Sequence, residues 1–149
     1  MSSTYLLHIA VPIIFACILN AIIYSQGWNR NQGQMIKKNI LIPPGYVIAI
    51  VWIIILGLLG YAHYLTYSSY VSWIIVGAIL YCLLYPFLTN GLKEDQMKLY
   101  NGLALVFAML VFASIYLIKK QVIIYSIPFL LWTIYVYIVT NLDSDSHIF

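Results

Sequence analysis

A chain of 149 residues that is 64% hydrophobic and only 7% charged lies far from soluble proteins, in which about a quarter of residues are charged; this is the composition of a polytopic membrane protein. The formal net charge of +3 rests on seven basic residues; these fall in loops, where such residues set orientation, and they exclude nucleic acid as the reading of that charge. Two cysteines, Cys17 and Cys82, sit inside apolar segments without metal-ligand spacing or a disulfide framework, and read as small hydrophobes.

The first apolar segment covers about 5–24. The start of the chain carries no basic stretch and no clear cleavage site, so a retained helix is expected rather than a signal peptide, and nothing there resembles an Arg-rich transit peptide. Pro12 lies inside this span and is expected to kink it. Residues 25–42 form a loop that is long for a connector in a compact bundle. It carries Trp28, Arg30, Lys37 and Lys38, and reads either as a lid folded back over the bundle or as an interfacial anchor. Pro43 and Pro44 then fix φ twice, as suits a chain entering the first turn of a helix. The second span, 45–66, contains no charged side chain, and its roughly 20 residues suffice to cross a hydrocarbon core about 30 Å thick.

A short polar turn makes the third span, 70–89, the antiparallel neighbour of the second. The loop after it, with Lys93, Glu94, Asp95 and Lys98, reads as a solvated turn. The fourth span covers 101–118, where Ala104 and Ala108 form a small-xxx-small pair suited to close helix contact. Lys119 and Lys120 mark a tight turn before the fifth span, 122–140. The expected fold is therefore an all-α integral membrane protein, a five-transmembrane-helix bundle forming one domain over 1–149. Arg30, Lys37, Lys38, Lys93 and Lys98 share one face against Lys119 and Lys120 on the other. The imbalance puts the first and third loops and the C-terminus in the cytosol and the N-terminus outside it.

Helix spacing brings three aromatic residues to one depth. Trp52 follows Pro44 by eight residues, Tyr81 precedes Thr89 by eight, and Trp132 precedes Thr140 by eight, which is about 12 Å in from the same face. Ile48, Trp52, Leu56, Leu59 and His63 form one stripe, and Phe129, Trp132, Val136 and Val139 another. The two stripes suggest an apolar and aromatic pocket open toward the basic face; ordinary packing is the alternative. No Asp, Glu, Lys or Arg lies within a span, which argues against ion-coupled transport and against catalysis by paired carboxylates. The sequence offers no nucleophile–base constellation and no metal-site spacing of its cysteines. His8 and His63 both fall near the non-cytosolic end, where they could meet as a bis-histidine haem site or stand as separate interfacial residues.

Pro43-Pro44-Gly45, Val47, Trp52 and Leu59-Gly60 resemble the second helix of the TspO/translocator protein family (peripheral benzodiazepine receptor, tryptophan-rich sensory protein). Pro128-Phe129-Leu130-Leu131-Trp132 resembles its fifth. The resemblance implies a receptor for flat hydrophobic ligands: porphyrin or haem-type tetrapyrroles, sterols and synthetic drugs, with no obligatory cofactor. It assigns ligand contact to Pro43, Pro44, Ile48, Trp52, Leu56, Tyr81, Leu84, Trp132, Val136 and Val139, and a lid to Trp28, Lys37 and Lys38. Three departures stand out. Asn29 follows Trp28 where the family has tyrosine, Tyr81 and Leu84 occupy the third-helix positions of its asparagine and tryptophan, and Thr140 stands in place of its fifth-helix asparagine. No Lys or Arg follows Tyr137, so the sterol-type pattern is missing. Family members are often homodimers, and Ala104/Ala108 permits a close contact within a subunit or between two. The rival readings are a structural or assembly membrane protein without a small ligand, and a porphyrin-degrading activity.

Overall fold

The computed structural model describes residues 3–27, 41, 43–67, 69–92 and 94–145. They form five α-helices: α1 (Ser3–Ser25), α2 (Gly45–Leu65), α3 (Tyr70–Thr89), α4 (Glu94–Ile118) and α5 (Ile127–Asp145), with a 3-10 helix, Lys120–Tyr125, ahead of α5. Four are long and apolar enough to cross a membrane, and α5 contributes the shorter apolar stretch Ile127–Leu142. Only helices satisfy every backbone group within one segment in lipid, and the chain is an integral multi-pass membrane protein built as a five-helix bundle.

Two boundaries differ from the sequence expectation. α4 begins at Glu94, so Lys98 lies within a helix rather than in a solvated turn. Asp95 stands in its first turn, where negative charge complements the helix dipole. At the other end the chain does not turn α-helical at Val122. Pro128 cannot donate to the carbonyl four residues earlier, and its ring disfavours helix in what precedes it. The six residues upstream wind instead as a 3-10 helix, and the carbonyl of Ser126 accepts the first α5 bond from the Leu130 amide at 3.1 Å.

The helices pack as α1 on α2, α2 on α3, α3 on α4 and α4 on α5, with α1 also touching α3. Ala104 and Ala108 are buried in the subunit, so this small-residue face is spent on internal packing and does not present a dimer contact. Phe129, Leu59, Ile75 and Val111 are fully buried at the centre. Leu6, Leu7, Ile14, Phe15 and Ile18 of α1 are exposed, as suits side chains in lipid. α2 and α5 are not a closely packed backbone pair; aromatic rings span the gap between them.

α1 meets α2 at one unusually close point. Pro12 lacks the N–H that would bond the His8 carbonyl in a regular helix. A methyl group at Gly60 would overlap that carbonyl oxygen and sit 3.3 Å from the Ile9 Cα. Glycine therefore lets the α2 backbone lie directly against the carbonyl that proline frees, a compensation typical of prolines in membrane helices.

Candidate functional site

At the end of the bundle where α2 begins and α5 ends, a cavity of about 180 Å³ opens between α2, α3, α4 and α5. Pro43, Ile48 and Trp52 line it from the α2 side, Trp132, Val136 and Val139 from α5. The Trp52 and Trp132 rings meet edge-on, with centroids 6.5 Å apart and planes at 87°, the geometry that an aromatic quadrupole favours. Phe129, fully buried, backs Trp52 at 6.4 Å. The indole Nε1–H of Trp132 is buried and has no hydrogen-bond partner among the described residues. A buried donor left unpaired costs about 1–3 kcal/mol; a bound molecule carrying an acceptor would remove that cost.

The cavity has a polar side. The Tyr85 hydroxyl donates to Asn101 Oδ1. Asn101 Nδ2 donates to Thr140 Oγ1 at 2.8 Å, and the Thr140 hydroxyl in turn donates to the Val136 carbonyl at 2.6 Å. This relay joins α3, α4 and α5. It leaves lone pairs on Tyr85 and Asn101 and one Asn101 N–H for a further partner. Tyr135, also on the lining, donates its hydroxyl to the carbonyl of Leu41 and so ties the chain just before Pro43 to α5.

A second cavity, of about 380 Å³, lies between α1, α2 and α3 and includes Asn20, Ile23, Leu56, Cys82 and Pro86. Ile48, Trp52 and Tyr85 line both cavities. They are the partition between them, with Trp52 its largest member.

Six of the residues named from sequence thus meet at the first cavity: Pro43, Ile48, Trp52, Trp132, Val136 and Val139. Leu56 lines the second. Pro44 stands at the N-cap of α2, outside both linings, and its carbonyl accepts from Val47 and Ile48. Tyr81 is turned away: its hydroxyl donates to the Tyr100 carbonyl at 2.7 Å, and its ring stacks on Phe107. Leu84 is 52% exposed on the outside of α3. Trp28, Lys37 and Lys38 lie outside the described residues. Tyr85, one turn beyond Tyr81, is the α3 hydroxyl that reaches the cavity. Asn101 was legible as a polar side chain in an otherwise apolar span, a pattern that marks function in membrane proteins.

At the opposite end His8 and His63 do meet, Nδ1 to Nδ1 at 2.7 Å. Their rings lie 4.8 Å apart and tilted by 44°, which leaves no room for a haem between them. Cys17 and Cys82 are free thiols.

The sequence model described as the TspO/MBR family matches residues 8–142, a stretch that includes every described residue lining the two cavities. No curated protein and no solved structure matches the chain.

Proposed function

Because the chain belongs to the TspO/MBR family, we propose that it is a membrane receptor for flat hydrophobic ligands, porphyrin-type tetrapyrroles above all, held between α2 and α5 by Trp52 and Trp132. The observation that carries this reading is the buried indole N–H of Trp132, without a partner among the described residues, on a residue that lines the cavity beside Trp52. A tetrapyrrole brings a wide π-face for the two indoles and carboxylate or ring-nitrogen acceptors for that donor. Asn101 and Tyr85 accept or donate at the far side.

Size sets one condition. At about 180 Å³ the first cavity falls below the roughly 300–1,000 Å³ of sites for drug-sized molecules; joined to the second, it falls within that range. A tetrapyrrole therefore enters by swinging Trp52, the shared wall, so that the two spaces become one. By the distribution of basic residues this end faces the cytosol, with the C-terminus on the same side. The described lining has no acidic or basic side chain.

The test is a titration of the detergent-solubilised protein with protoporphyrin IX, followed by tryptophan fluorescence. Saturable quenching at micromolar concentration, about −8 kcal/mol, is expected. Quenching that rises linearly with porphyrin would mean partition into the micelle, and would leave a structural role as the better reading.

A further inference from the structure

We propose that His8 and His63 form a binding site for one borderline divalent metal ion, Zn²⁺ or Cu²⁺, at the end of the bundle away from Pro43. The ligands come from two helices whose backbones are locked by the contact of the His8 carbonyl with Gly60, one turn before His63. The 2.7 Å separation of the two Nδ1 atoms requires one ring to hold a proton there and the other to offer a bare lone pair. A metal ion takes both lone pairs once the donor ring changes tautomer, its proton moving by way of water from Nδ1 to Nε2, so that both ligands are neutral imidazoles. Imidazole nitrogens bind Zn²⁺ at about 2.0–2.1 Å, and a tetrahedral angle then sets the two nitrogens roughly 3.3–3.4 Å apart. The rings need to part by only about 0.6–0.7 Å from their hydrogen-bonded position, a small torsional adjustment of either side chain.

Aromatic neighbours hold the pair in place. Tyr64 and Tyr67 each pack a ring 5.5 Å from His8, and Tyr67 also touches His63 at 5.6 Å. Tyr67 is exposed, and both histidines are only partly buried, so the ion enters from the aqueous edge and water completes its shell. Among the described residues no group of three histidine, cysteine or acidic side chains exists. The site is thus a two-imidazole one, and such a donor set suits zinc, copper or nickel rather than calcium or magnesium. It lies in neither of the two cavities and stands or falls independently of the tetrapyrrole reading.

The experiment uses the whole 149-residue chain carrying His147→Gln, in which His8 and His63 are then the only histidines. Cu²⁺ is titrated and its electron paramagnetic resonance recorded. The expected spectrum shows two imidazole nitrogens per copper, saturating at one equivalent. His8→Gln and His63→Gln should each reduce the count to one or none and weaken binding at least 10-fold, with Zn²⁺ competing in the parent protein. A parent spectrum with one nitrogen or none, or binding unchanged in both glutamine variants, overturns the proposal. The nitrogen count is read on the parent protein and so decides the matter even if a variant fails to fold.

Discussion

Trp52→Phe/Trp132→Phe is expected to bind protoporphyrin IX about 5- to 150-fold more weakly than the unsubstituted protein, a loss of roughly 1–3 kcal/mol. Phenylalanine keeps a ring at both positions, so the packing of Trp52 against the fully buried Phe129 survives. What is lost is stacking area and the buried Trp132 donor, which has no partner among the described residues. The same change should leave the empty protein as stable as before, or slightly more so, because deleting an unsatisfied buried donor removes a penalty. A variant that loses binding while keeping its unfolding midpoint identifies the indoles as ligand contacts. Equal binding in both proteins would mean that the rings serve packing alone.

Gly60→Ala is expected to lower stability by about 1–3 kcal/mol, although alanine is the better helix former by roughly 0.5–1 kcal/mol. The overlap decides the sign. The added methyl meets the His8 carbonyl, a backbone group that no side-chain rotation can move, so α1 must shift away from α2. Two other glycines of the same helix calibrate the effect. At Gly45 nothing lies within 4 Å of an added methyl, and Gly45→Ala should be neutral or mildly stabilising. At Gly57 the nearest atom is the end of the Ile13 side chain at 3.1 Å, which can give way. Reversible unfolding in mixed detergent, run on all three, should rank Gly60→Ala far below the others. Stability equal to that of Gly45→Ala would show that the close α1–α2 contact contributes nothing.

Much of this architecture was legible in the residues. The five apolar runs, the two prolines opening α2 and the depth of Trp52 and Trp132 follow from rise per residue and from the stripe spacing. Depth along a helix is not direction around it, and spacing along the sequence fixes only the first. Tyr81 and Tyr85 share one stripe of α3 and differ by a single turn, but only the neighbours decide which hydroxyl is taken by the α4 backbone and which reaches Asn101. Thr140 is a second case. As a replacement for a fifth-helix asparagine it looked like a lost amide, whereas Asn101 on α4 brings an amide to the same hydroxyl. That exchange joins residues on different helices, and no local pattern reports it. The 3-10 helix before α5 was missed for a simpler reason: hydrophobicity marks where a chain sits in lipid, and Pro128 determines where it can be α-helical.

The most direct test of the account asks where a porphyrin sits. Two proteins are needed, both keeping Trp52 and Trp132 for binding: Trp28→Phe, and Trp28→Phe/Trp73→Phe, whose difference in fluorescence is the Trp73 signal. Trp73 is 78% exposed on the outer side of α3, twelve residues before Tyr85 and therefore about 18 Å away along the helix. Saturable and strong quenching of the Trp52–Trp132 pair by protoporphyrin IX is expected, with much weaker quenching of Trp73. Quenching of Trp73 equal to or greater than that of the pair would put the porphyrin on the lipid-facing surface, and would contradict a binding site between α2 and α5.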